Sequence, residues 1–142
     1  MLDALASSVA SSVYTEITFE RGIMNNRPTL NQVHEYLIDL VRQRKNPITY
    51  AQLAQHFDLD VAAETDTEFW TGLLGEISTT EHGRGNPLLS VMVIDSTVSR
   101  PGNDFFDLAR NLGVYAGHSE IEHRKYFRRE VKAVRDHWAD TD

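Results

Sequence analysis

One short pattern stands at four predicted helix starts in this chain: Ser or Thr followed three residues later by Gln or Glu. This is the capping box, in which each of the two side chains satisfies an exposed backbone N–H of the other residue at the start of a helix. Apolar residues follow at three- and four-residue steps, as expected for amphipathic helices. The pattern therefore predicts a mostly helical chain. The pairs are Thr29 with Gln32, Thr49 with Gln52, Thr65 with Glu68, and Ser119 with Glu122.

Further signals extend this prediction. Apolar spacing over residues 2–17 predicts an N-terminal amphipathic helix. Asp104 is a good N-cap for a helix that ends near Gly113, where glycine favours a helix C-terminus. In the closing helix, about residues 119–138, the spacing predicts that the buried residues are Ile121, Phe127, Val131, Val134 and Trp138.

The stretch between the third and fourth helices predicts the β part of the fold. Residues 79–87 are polar and predict a loop, and residues 95–103 predict another. Between them, residues 88–94 are apolar on both faces and predict a covered strand. We therefore expect one α+β domain over residues 1–142, mostly helical.

Composition and charge exclude several classes of protein. The chain of 142 residues has no cysteine, which excludes disulfides and cysteine-based zinc sites. There is no apolar stretch near 20 residues and no signal-peptide pattern, so we expect a cytoplasmic protein without a membrane span. The net charge is −7, although residues 118–138 carry six basic against four acidic residues, which leaves −9 elsewhere. An acidic body suits a partner protein with a basic surface.

Short motifs over residues 47–115 resemble the winged-helix part of alkylguanine-DNA alkyltransferases and alkyltransferase-like proteins. They are ITYAQLAQH at residues 48–56, Asn86-Pro87, and a loop that ends at Pro101-Gly102. The resemblance implies a winged-helix-like core, about residues 29–103, with additional N- and C-terminal helices. It also implies that Tyr50 lies where the family contacts the DNA backbone. The ITY and PLLS motifs are also similar to small uncharacterised bacterial and phage proteins, for which no function is implied.

The departures from that family bear directly on activity. Leu88 and Leu89 stand where the family has its methyl-accepting Cys and its His, and Ser90 stands where the family has Arg. Leucine can neither accept an alkyl group nor transfer a proton, so alkyl transfer is excluded. No phosphate-binding glycine loop, nucleophile elbow or dinucleotide motif is present. We therefore predict a non-enzyme with no catalytic residues, metal site or cofactor.

Exposed basic and polar residues are the candidates for a binding site. His82 and Arg84 lie in a glycine-flanked stretch that can reach a phosphate or a carboxylate. Basic residues also lie at 42–45, at Arg100 and in the last helix, and they would contact a phosphate backbone if the fold placed them on one face. The candidate binding residues are Tyr50, His82, Arg84, Arg100, Arg124 and Arg128.

Three functions stay open from the sequence. The first is a small protein-binding protein, of the inhibitor, immunity or regulator type, that engages a nucleic-acid-acting enzyme. The second is a winged-helix DNA-binding module, although the helix over 66–78 has no Arg, Lys, Asn or Gln to read bases. The third is a metal-dependent nuclease that uses Asp95, Asp104, Glu120 and His123. Amphipathic terminal helices would also suit a homodimer.

Overall fold

The computed structural model describes residues 28–58 and 65–139. The helices within these ranges are α1 (Leu30–Arg42), α2 (Tyr50–His56), α3 (Thr65–Gly83), α4 (Asn103–Asn111) and α5 (Glu120–Ala139), with a 3-10 helix at Leu89–Met92. Two short strands, β1 (Ile48–Thr49) and β2 (Val93–Ile94), complete the elements. The protein is thus α+β and mostly helical, as predicted. The N-terminal helix predicted over residues 2–17 lies outside the described residues.

Most of the described chain belongs to one compact unit, formed by residues 30–55 and 65–139. Residues 28, 29 and 56–58 are assigned to another. That residues 1–142 form a single domain stays a prediction.

The segment 88–93 lies at the centre of this unit. All six residues are buried, from Leu88 at 1% exposed to Val93 at 1% exposed, and helices α1, α3 and α5 pack against the 3-10 helix within the segment. The prediction of a strand over 88–94 is wrong, because Leu89–Met92 form a 3-10 helix and only Val93 and Ile94 form a strand. The prediction that the segment is covered is confirmed. An apolar run predicts burial on all sides, but its periodicity does not distinguish a strand from a tight helix.

The two strands pair in parallel. Ile48 lies beside Val93 and Thr49 beside Ile94. This pairing joins the residues before α2 to the residues that follow the 3-10 helix. Beyond β2, Asp95 and Arg100 form an isolated antiparallel bridge that closes the loop between them.

Two capping boxes are present as predicted. Gln52 N–H donates to Thr49 Oγ1 at 3.1 Å, and Thr49 N–H donates to Gln52 Oε1 at 2.9 Å. Glu122 N–H donates to Ser119 Oγ at 3.1 Å, and Glu122 Oε1 accepts the Ser119 N–H at 3.0 Å. These reciprocal bonds fix where α2 and α5 begin.

The start of α4 differs from the prediction. Asp104 is not its N-cap, because the helix begins at Asn103 and the capping residue is Gly102, which has no side chain to offer. Asp104 lies instead in the first turn, where a carboxylate is still favoured by the helix dipole. Gly113 follows the helix with φ +80°, so its predicted role at the C-terminus is confirmed.

Helix α3 extends through most of the predicted loop over 79–87. The reason is Glu81, which is fully buried. Its carboxylate accepts hydrogen bonds from His34 Nε2 at 2.5 Å and from Asn86 Nδ2 at 2.7 Å. A polar stretch therefore forms a buried network that joins α3 to α1, and its composition alone indicated a surface loop.

Helix α5 buries a different stripe from the predicted one. Ile121 is 69% exposed, so its predicted burial is wrong. Val131 and Val134 are buried as predicted, whereas Phe127 and Trp138 are only partly buried. The N-terminal half of the stripe is formed instead by His123 and Tyr126. No helix in the described ranges is long and apolar enough to cross a membrane.

Replacing Glu81 tests whether its network supports the fold. Glu81→Ala leaves His34 and Asn86 without their buried acceptor, so we expect the free energy of unfolding to fall by about 3 kcal/mol. Glu76→Ala, on an exposed site of the same helix, should change it by less than about 0.5 kcal/mol. Urea denaturation followed by circular dichroism measures both changes. Equal effects of the two substitutions would contradict a supporting role for Glu81.

Candidate functional site

A groove runs between α5 and the turn that joins α1 to β1. It encloses about 500 Å³. We call it the basic groove, because four of its lining residues are Arg or Lys and only one is acidic. It is lined by Arg44, Asn46, Pro47, Phe127, Arg128, Val131, Lys132, Arg135 and Asp136.

The end of α1 places Arg44 on this groove. Lys45 N–H donates to Leu40 O and Arg44 N–H donates to Val41 O, both at 3.0 Å, which is the Schellman arrangement of a helix C-terminus. Arg44 occupies the left-handed position of that motif, with φ 60°. Glycine is usual there, because an L side chain is strained in this conformation.

The geometry of α5 supplies the other cations. Arg128, Lys132 and Arg135 follow one another at steps of four and three residues, so they share one face of the helix. Arg135 Nη2 donates to Lys45 O at 3.3 Å and to Asn46 Oδ1 at 3.4 Å. These two bonds hold the turn after α1 beside α5.

The charges of the groove do not cancel. Four cations against Asp136 give a formal sum of +3. The Lys132–Asp136 ion pair, at 2.7 Å, joins two exposed side chains and is therefore weak. Arg128 is exposed and makes no ion pair within residues 28–58 and 65–139. The groove thus presents positive charge on a chain whose net charge is negative.

The floor of the groove is apolar. Val131 is 8% exposed, and Phe127 and Pro47 are half-buried. An apolar floor with cationic rims can bury a hydrophobic side chain and pair with an anion beside it. Phosphate alone would use the rims and not the floor.

Two of the predicted binding residues, Arg100 and Arg124, meet at one carboxylate. Arg100 is 7% exposed, and its Nε and Nη2 both donate to Glu120, each at 2.8 Å. Arg124 Nε lies 2.9 Å from the same carboxylate, and its Nη2 donates to Val98 O at 2.8 Å. These two arginines hold the loop over 95–101 against α5.

His82 and Arg84 lie at the C-terminal end of α3. His82 is in the last turn of α3, and Arg84 follows that helix with its side chain 61% exposed. Arg84 Nη1 lies 3.5 Å from Glu81 Oε2. Neither residue lines the basic groove, so only Arg128 of the six predicted binding residues does.

Tyr50 lines a separate, small cavity with Thr71, Ser90 and Asp104. Its volume is about 30 Å³, which is room for water and not for a nucleobase. Burial raises the pKa of Tyr50, the charges of Asp104 and Asp95 raise it further, and a hydrogen bond with Thr71 opposes them. The phenol is therefore a neutral group at the start of α2, on a cavity that α3 and α4 also line.

Three of the four side chains considered for a nuclease have other partners. Glu120 pairs with two arginines, Asp95 accepts hydrogen bonds from Thr97, and the Tyr115 hydroxyl bonds to His123 Nδ1 at 2.6 Å. Across the part of the chain that the structure describes, no group of three or more His, Asp or Glu could hold a metal ion.

The groove contains three basic residues that were not among the predicted site residues: Arg44, Lys132 and Arg135. The sequence did indicate two basic stretches, at 42–45 and in the last helix. What it lacked was the tertiary contact between α1 and α5, which places part of both stretches on one face. A single amphipathic pattern carries no information about which helix lies beside it.

The pKa of Glu120 tests the arginine pair directly. Hydrogen bonds from Arg100 are the main reason that this pKa is lowered from 4.5 to about 2, and the charges of Arg100 and Arg124 add to the effect. The pair therefore stabilises the fold above pH 4.5, and that contribution is lost as the pH falls toward 2. Arg100→Met should return the Glu120 pKa toward its ordinary value in a carboxyl NMR titration. Arg128→Met should leave it low, and an unchanged pKa in Arg100→Met would refute the assignment.

Comparison of the chain with protein-family models, curated proteins and solved structures gives no match. The alkyltransferase-like resemblance of residues 47–115 therefore rests on its motifs.

Proposed function

We propose that this protein is a non-enzymatic binding module whose basic groove receives an acidic segment of a partner protein. The observation that carries the proposal is the convergence of four cations over an apolar floor. Acidic side chains of the partner would pair with Arg44, Arg128, Lys132 and Arg135. An apolar side chain of the same segment would lie against Phe127 and Val131.

The net charge of −7 led us to expect a partner with a basic surface, and the groove refines that expectation. A negatively charged protein with a positively charged groove favours a partner that combines a positive surface with a negative segment. Such patterns fix orientation and accelerate association more than they add affinity. An inhibitor, immunity or regulatory protein that acts on a basic, nucleic-acid-acting enzyme would contact a basic surface and an acidic segment of that enzyme.

Arg44 gives independent support. An arginine at a position that favours glycine costs the fold about 1 kcal/mol, and residues in such conformations are concentrated at functional sites. Its exposed side chain makes no ion pair within the described ranges. A contribution to binding would account for the arginine at this strained position.

A winged-helix DNA-binding module is the second candidate, because the same four cations could pair with phosphates. The element order and the closed loop at Asp95 and Arg100 support a wing-like arrangement. The helix that would enter the major groove is α3, and it exposes Glu68 and Glu76. Carboxylates on that face repel phosphate, so protein binding is the stronger candidate.

A pull-down with matched variants tests the proposal. The tagged protein, Arg128→Glu and Lys125→Glu are each incubated with nuclease-treated lysate of the native organism. Both substitutions reverse one exposed charge on α5, but only Arg128 lines the groove. We expect the wild type and Lys125→Glu to retain a stoichiometric protein partner. Recovery with Arg128→Glu should fall at least about tenfold, as for loss of a central charged contact.

Two results would contradict this proposal. Equal recovery by all three proteins would exclude the groove as the binding site. Recovery only without nuclease, with a steep loss as salt is raised, would favour the DNA-binding candidate.

Arg44→Gly separates stability from binding. Glycine relieves the left-handed strain at the end of α1, so the free energy of unfolding should rise by about 1 kcal/mol. Removal of the cation should at the same time weaken partner binding several-fold. Thermal denaturation and the pull-down measure the two effects. A more stable variant with undiminished binding would show that Arg44 has no part in the site.

A further inference from the structure

A second pocket lies between α5 and the residues that follow α3. It encloses about 460 Å³, and its walls include Leu88, Val114, Tyr126, Arg129 and Glu130. We call it the Glu130 pocket. None of its lining residues lines the basic groove, so the two sites can be tested separately.

The carboxylate of Glu130 is the unusual group in this pocket. Its Oε2 accepts the Leu88 N–H at 2.7 Å, and it forms no salt bridge with a Lys, Arg or His of residues 28–58 or 65–139. Burial raises the pKa of Glu130, and the Leu88 N–H and Arg129 only partly oppose that change. A carboxylate partly withdrawn from water without a salt bridge is costly, and a cation that paired with it in the pocket would offset this cost.

The wall of the pocket can contact an aliphatic stem. Val114 is 40% exposed and provides apolar surface. Arg129 is a cation already present at the pocket, and its guanidinium carbon lies 5.4 Å from the Tyr126 ring centroid.

The free acceptor positions of Glu130 suit a compact cation. Its Oε2 accepts the Leu88 N–H, and Arg129 already lines the pocket. Lysine presents a compact ammonium on a flexible aliphatic stem and needs one oxygen only. A lysine ammonium therefore fits the acceptor positions that remain.

We propose that the Glu130 pocket receives a lysine side chain of a partner protein. The ammonium pairs with Glu130, and the methylene groups lie along Val114. This inference rests on the proposed protein-binding function and adds a second, oppositely charged contact to it. A partner that carries an acidic segment for the groove and a lysine for this pocket would be held in a single orientation.

A pair of small probes tests the pocket without the partner. N-acetyl-lysine methylamide and its norleucine counterpart differ in the ammonium group alone. Each is titrated into the full chain, and backbone amide shifts are followed by NMR. We expect the lysine probe to shift the amides of Leu88 and Val114 with a dissociation constant on the order of 1–10 mM, and the norleucine probe to shift neither.

Single substitutions test which residue binds the lysine probe. Glu130→Gln keeps an acceptor for the Leu88 N–H but removes the charge, so lysine-probe affinity should fall about tenfold. Arg129→Met removes the competing internal cation and should raise the affinity several-fold. Glu76→Gln, exposed on α3, is the control and should change nothing.

Two outcomes would overturn the inference: equal binding of the lysine and norleucine probes, or an unchanged affinity in Glu130→Gln. Arg128→Glu should bind the lysine probe as the wild type does, because it lies in the other site. Failure of the groove and failure of the Glu130 pocket are thus distinguishable. Loss of the partner in Arg128→Glu with no probe binding would leave the groove standing and refute the pocket.

Discussion

Complete burial of the segment 88–93 is the constraint on which the described fold depends. Its apolar side chains leave no face for solvent, so α1, α3 and α5 must all pack against it. Ser90, the polar residue of the segment, is hydrogen-bonded to α3. Ser90 N–H donates to Ser78 Oγ at 3.0 Å, and the Ser78 hydroxyl donates to Ser90 Oγ at 2.6 Å. The segment therefore orders the helices around it, and the surface sites follow from that order.

Helix α5 connects this core to both proposed sites. One side of the helix carries Arg128, Lys132 and Arg135 on the basic groove, and the other carries Tyr126 and Glu130 on the second pocket. Glu130 also caps the Leu88 N–H at the start of the central segment. Packing, a buried acceptor and two binding surfaces thus share one helix, so its rotation about its axis determines all of them.

Much of the helical map could be predicted from the sequence, because capping boxes and apolar spacing are local signals. The extension of α3 could not, because it depends on the contact of Glu81 with His34, 47 positions away. The 3-10 helix within 88–93 could not be predicted for a similar reason. The apolar run indicated that the segment is buried, but its backbone conformation depends on the surrounding helices.

The candidate sites, too, could be predicted from the sequence only in part. Arg100 and Arg124 were recognisable as basic residues, but not as partners of Glu120. Arg128 was identified, whereas the groove around it required the contact between α1 and α5. The exposure of Ile121 follows from the stripe that α5 buries, with His123 and Tyr126 inward. The spacing of apolar residues predicts that one side of the helix is buried, but it locates that side only to within a residue or two.

The most direct test of the central claim is a photochemical cross-link from the floor of the basic groove. Phe127 would be replaced by the photoreactive aromatic amino acid benzoylphenylalanine, and the cross-linked product would be identified by mass spectrometry. The proposed function predicts a cross-link to a protein segment rich in Asp and Glu that contains an apolar residue. A cross-link to nucleic acid or to a basic segment, or a partner that is captured without a cross-link, would contradict it.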